Sequence, residues 1–165
     1  MKQVDIKSID RDEDIFMSAK VIRDAFRSVA ELFDLTIDNA PSNAAFISED
    51  KLYAMKESGI TLFGAFEGEK QVGFVSVEKA NDTVFYLEKL AVLPEHRHKG
   101  FGKILMDHVF DYVRAQGGKR ISIGIINENT VLKNWYEAYG FGEVCVKTYE
   151  HLPFTVCIME KDVYD

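Results

Sequence analysis

Residues 87–105 (LEKLAVLPEHRHKGFGKIL) constrain the fold more than any other stretch of the chain. An apolar run ends at Pro94, a short basic loop follows, and Gly100-x-Gly102 opens a helical pattern, so the segment reads as strand, loop and helix N-terminus. A strand feeding a helix this directly belongs in a layered domain with helices covering a sheet. The start of such a helix presents backbone N–H groups without intrahelical partners, a ready site for an anion. Arg97, Lys99 and Lys103 gather there, although the chain carries net charge −7. A basic nest on an acidic protein points to a phosphorylated ligand.

With 165 residues, 47% hydrophobic and 28% charged, the chain reads as one domain over 1–165 with a substantial core. No apolar run approaches the roughly 20 residues needed to cross a bilayer, and the first residues lack a signal peptide's apolar centre. Only Cys145 and Cys157 are present, too few for a disulfide framework. The expected compartment is therefore the cytoplasm, with no membrane association. The acidic balance argues against nucleic-acid binding and suits a cationic partner.

Periodicity orders the elements as β-α-α-β-β-β-α-β-α-β-β. Strands are expected at 4–9, 60–66, 72–77, 84–93, 120–126, 141–149 and 154–160, and helices at 14–33, 48–58, 100–116 and 129–139. Glu67 to Lys70 reads as a hairpin turn. On the first helix the apolar stripe is Ile15, Phe16, Ala19, Ile22, Phe26, Val29 and Ala30. On the third it includes Ile104, Leu105, His108, Val109 and Tyr112.

The glycine loop differs from two lookalikes. A dinucleotide fingerprint needs a third glycine where Leu105 stands, and a P-loop needs Ser or Thr where Ile104 stands. What remains is Arg97-x-x-Gly100-x-Gly102, followed one strand later by Asn129…Tyr136…Gly140-Phe141. Together these two signatures, in this order, resemble the GNAT-type N-acetyltransferase superfamily, which uses acetyl-coenzyme A. The resemblance covers about 60–160. It implies a mixed, mostly antiparallel sheet of six to seven strands, splayed between strands 4 and 5 and flanked by about four helices. The fourth strand is expected to carry a bulge.

By the same resemblance, pantetheine lies along Leu90, Ala91 and Val92. The diphosphate rests on the amides of Arg97, His98, Lys99, Gly100, Phe101, Gly102 and Lys103, with the Arg97 side chain in contact. Asn129 caps the fourth helix and touches the cofactor. Tyr136 protonates the departing thiolate, and it binds near the cofactor sulfur. A backbone amide near Val92 holds the oxyanion. Glu88 is the expected general base, since strand alternation would set it on one face with Tyr86, Leu90 and Val92, and burial would raise its pKa. Some relatives place a glutamate five residues before the motif asparagine, where this chain has Gly124.

The expected reaction moves an acetyl group to a primary amine of a small molecule or peptide by direct attack in a ternary complex. A longer acyl donor, or a sensor that binds coenzyme A without catalysis, are the alternatives. The acceptor pocket is expected from 26–58 and 147–154, with Phe33, Phe46, Tyr53, Tyr149, His151 and Phe154 beside Glu31, Asp34 and Asp38, a set that would suit a cation. A homodimer through the terminal strands is an open alternative. His96-x-His98 has no second ligand cluster nearby, so no metal is expected. Trp135 and Phe141 read as packing residues, and both cysteines as small buried groups.

Overall fold

The computed structural model describes residues 3–164. Its seven strands form one sheet in the order β1-β2-β3-β4-β5-β7-β6. The N-terminal half is a meander: β1 (Asp5–Ser8), β2 (Thr61–Glu67), β3 (Lys70–Lys79) and β4 (Val84–Val92) pair antiparallel in turn. A crossover then makes β5 (Arg120–Ile126) parallel to β4, and β7 (Thr155–Asp162) and β6 (Gly142–Thr148) complete the sheet antiparallel. The expected mixed, mostly antiparallel sheet with four α-helices is present.

Helices cover both faces. α1 (Asp12–Leu32) starts with Asp12, Glu13 and Asp14 against the positive end of its own dipole. It stops where Leu35 N–H reaches back to Ala30 O at 2.8 Å while Asp34 takes φ 53°, a left-handed cap usually given to glycine. α2 (Glu49–Glu57) is capped by Ser48, whose hydroxyl accepts from Lys51 N–H. These two helices bury Ile15, Ile22, Leu52 and Met55 against Leu62, Phe74 and Ala91 on one sheet face. On the other face α3 (Phe101–Ala115) buries Leu105, Met106, Val109 and Val113 against Val75, Phe85 and Ile121. α4 (Thr130–Tyr139) joins this layer through Tyr136, Tyr139 and the following Phe141, whose rings pack on one another and on Phe110.

Two stripe assignments are corrected. Phe16 on α1 is 58% exposed and Ile104 on α3 is 40% exposed, because each helix meets the sheet along a narrower line than its apolar residues span. Cys157 is buried as expected, but Cys145 is exposed on edge strand β6. No helix of the described residues is long and apolar enough to cross a membrane.

Candidate active site

β4 and β5 pair only at their beginnings, Val84 with Arg120, Phe85 with Ile121 and Tyr86 with Ser122. Further along, β4 stays on β3 and β5 stays on β7, so the two strands part. The far half of β4 is therefore an internal sheet edge, able to take an extended ligand as an added strand would be taken.

A bulge shapes that edge. Glu88 pairs with Ser76 and Ala91 with Phe74, so Lys89 and Leu90 together face Val75, and Lys89 adopts φ 56°. The extra residue flips the alternation. Phe85 and Leu87 share the α3-side core with Leu90 and Val92, while Ala91 and Leu93 point to the α1 side. Glu88 consequently lies on the face opposite Leu90 and Val92, which corrects the expectation of a shared face. Its side chain is 42% exposed and Oε2 lies 3.6 Å from Lys89 Nζ, so the desolvated carboxylate expected from the sequence is not formed.

Beyond β4, a single 3-10 turn (Pro94–His96) leads into the glycine loop. The amides of His96 and Arg97 close that turn on Leu93 O and Pro94 O. From His98 to Lys103 none of the six amides has an acceptor among the described residues, and the ladder of α3 begins with Ile104 N–H to Gly100 O. His98 at φ 63° and Gly100 at φ 83° alternate with Lys99, a backbone pattern that turns successive N–H groups into one concavity. Such a set of convergent donors can accept an anion with several oxygens, a diphosphate among them.

Arg97 faces away from this nest. Its Nη2 donates to Ala25 O at 2.6 Å, Nη1 to Ser28 Oγ at 3.3 Å and Nε to Val92 O at 3.3 Å. With its amide also used, Arg97 fastens the loop to α1, and the expected side-chain contact with phosphate is corrected: the free donors start at His98. Lys103 pairs with Asp107 at 2.8 Å, whereas Lys99 makes no ion pair among the described residues.

α4 borders the nest where Trp135 meets Gly102. Asn129 Oδ1 accepts from Leu132 N–H at 3.2 Å, the expected cap. Two turns on, Tyr136 is 4% exposed, its ring edge-on to Trp135 and Phe141. Burial holds its phenol well above the ordinary tyrosine range, so it keeps its proton at neutral pH. No hydrogen bond takes up its hydroxyl among the described residues. Trp135 packs, as expected, on the rings of Tyr136 and Tyr139, remains 37% exposed, and would stand with its Cζ2 3.4 Å from a Cβ on Gly102.

The far end of the cleft is walled by aromatic residues. Phe33, Phe46, Ile126 and Phe154 pack around Ala30, Leu35 and Ala40, which joins the end of α1 to the end of β5 and to the segment before β7. A cavity of about 480 Å3 opens there, bordered by Arg27, Glu31, Asp34, Leu35, Ala45 and Phe46. Arg27 is taken by Asp24, and the Glu31 and Asp34 carboxylates meet no cation among the described residues. Tyr53 packs in the α1–α2 core and not at this cavity. His96 is buried and His98 exposed, and no three metal-ligating side chains converge among the described residues.

Residues 26–141 match the sequence model of the acetyltransferase (GNAT) family. The chain is 23% identical over 114 residues to the [ribosomal protein bS18]-alanine N-acetyltransferase of Escherichia coli strain K12, a match spanning 63% of this chain and 76% of that one. It is 34% identical over 55 residues to a streptothricin acetyltransferase of Streptomyces lavendulae, covering 33% of this chain and only 29% of that relative. Among solved structures, the ribosomal-protein-S18-alanine N-acetyltransferase from Escherichia coli superposes with TM-score 0.77 at 17% identity, over 98% of this chain and 94% of the other. The paia N-acetyltransferase from Thermoplasma acidophilum, solved in complex with coenzyme A, gives TM-score 0.73 at 20% identity over 97% and 99%.

Proposed function

The chain belongs to the GNAT family of acetyltransferases, and from that premise we propose that it transfers an acetyl group from acetyl-coenzyme A to a primary amine. The observation that carries the reading is the run of six unpaired amides, His98 to Lys103, at the mouth of the parted β4 and β5 strands. Diphosphate on that loop would lead the pantetheine arm along Leu90, Ala91 and Val92 toward the α4 layer, where Tyr136 and Asn129 lie. Gly100 suits the loop because its φ of 83° is strained for a side chain, and nothing would be displaced by a ligand approaching it.

The amine, deprotonated, attacks the thioester carbonyl. A β4 amide near Val92 receives the developing oxyanion, the C–S bond breaks, the thiolate takes the proton of Tyr136, and the tyrosinate is restored by the surplus proton that the nitrogen sheds as the amide forms. Glu88, wetted and on the α1 side of β4, would take the ammonium proton through water rather than by direct contact. The acceptor would enter from the cavity beside Glu31, Asp34 and Phe46, whose free carboxylates favour a cationic amine of a small molecule or peptide.

Thermal unfolding with and without acetyl-coenzyme A tests the donor, and thiol release across a panel of amines tests the transfer. Stabilisation with amine-dependent thiol release is expected. Stabilisation without thiol release from any amine would leave a coenzyme A-binding sensor, and no stabilisation would remove the donor assignment.

A further inference from the structure

Glu67, the last residue of β2, and His96, in the 3-10 turn before the glycine loop, form a buried acid–imidazole pair that the proposed chemistry does not use. Nδ1 stands 3.0 Å from Oε1, with side chains 11% and 12% exposed. The contact is close but not aligned as a hydrogen bond, and His96 Nε2 and Glu67 Oε2 are buried with no partner among the described residues. Such atoms cost stability, so folding alone would favour an apolar pair here. On its other side the imidazole lies nearly parallel to the Phe101 ring, 6.2 Å between centroids and 23° between planes. Phe101 is the first residue of α3 and belongs to the amide nest.

The pair completes a two-sided mount for the donor loop. Phe66 points into the α1 layer, so Glu67, one residue on, faces the α3 layer where Phe101 sits. Arg97 anchors the next residue of the loop in the opposite direction, to Ala25 and Ser28 of α1. Adjacent residues 96 and 97 are thus pulled to opposite faces of the sheet. This twist sets the direction in which the amides that follow leave the turn.

We propose that Glu67 and His96 are positioning residues for the diphosphate, aiming the His98–Lys103 amides by holding the turn that precedes them. The inference rests on the acetyl-coenzyme A reading above. Apolar packing at the same place would fill space without tying one atom to another, whereas the 3.0 Å Nδ1–Oε1 contact joins the turn to the end of β2 at a single point.

The test compares acetyl-coenzyme A with S-acetylpantetheine, which has the thioester but no diphosphate. Glu67→Ala should raise KM for acetyl-coenzyme A about tenfold, through misplacement of the loop, with kcat and amine KM near wild type. Its kinetics with S-acetylpantetheine should be unchanged. If Glu67→Ala does not fold, Glu67→Gln is judged by the same ratio between donors. The double variant His96→Phe/Glu67→Leu should melt at or above the wild-type temperature yet keep the raised KM for acetyl-coenzyme A. Equal losses with both donors, no loss with either, or a double variant with wild-type KM would each overturn the proposal. Failure of acetyl-coenzyme A to stabilise the wild-type protein would instead overturn the donor reading, and this inference with it.

Discussion

The Trp135 indole borders Gly102 so closely that a Cβ on the glycine would come within 3.4 Å of Cζ2 and 3.7 Å of Cη2. The second glycine of the loop therefore packs against α4. Trp135 is the only tryptophan of the chain, which makes it a reporter for the nest. Its fluorescence should change and saturate as acetyl-coenzyme A is added, and an unchanged spectrum in the presence of bound donor would separate the donor from this part of the loop. Gly102→Val should weaken donor binding, since the larger side chain must displace the indole.

Arg97 joins three acceptors contributed by α1 and β4. Arg97→Ala should cost about 1–3 kcal/mol in denaturant unfolding, the range for partly buried acceptors that lose a charged donor. Arg97→Lys should recover little, because an ammonium cannot reach three acceptors that the planar guanidinium spans. Full stability in Arg97→Ala would mean that these bonds are replaced by water at no cost.

Tyr136→Phe should keep donor affinity and lower turnover by about 10²-fold or more, the usual contribution of a positioned proton donor. Steady-state KM and kcat decide this, and unchanged turnover would remove the phenol from the mechanism.

The same residue makes a prediction about alkaline stability. Burial raises the Tyr136 pKa in the folded protein, so above about pH 10 the unfolded chain ionises this phenol and the folded one does not. Stability carried by the neutral phenol is complete below pH 10 and falls as pH rises further, by about 1.4 kcal/mol per pH unit for a single group. Tyr139, raised by burial and by its bond to Asp107, adds to the fall in the same direction. Urea titrations at pH 8 and pH 11 should show Tyr136→Phe losing less than wild type. An equal loss in both proteins would show that Tyr136 does not carry this effect.

Glu88→Gln should lower kcat/KM about tenfold. Kinetics identical to wild type would take Glu88 out of the reaction and leave water as the proton acceptor.

Several features were legible in the residues because they depend on near neighbours in the chain. The order of strands and helices followed from periods of two and 3.6. The Asn129 cap reaches three residues, and the left-handed Gly100 answers to its own lack of a Cβ. Such features answer to dihedral preference and short-range hydrogen bonding, which a local sequence states directly. Even the bulge left a trace, since the inward residues Phe85, Leu87, Leu90 and Val92 break step by one between 87 and 90. Run without that break, the alternation put Glu88 on the wrong face.

Tertiary structure decided the rest. Arg97 is basic and adjoins a glycine loop, which suits a phosphate ligand equally well until α1, some seventy residues earlier, brings Ala25 O and Ser28 Oγ beside it. Nothing near His96 in the chain names its partner, and only the meander brings Glu67 to its side. The parting of β4 from β5 depends on how far a parallel register persists between strands joined through α3. In each case the partner is chosen by packing between distant segments, and a side chain's chemistry alone does not say which of several satisfactory partners will be within reach.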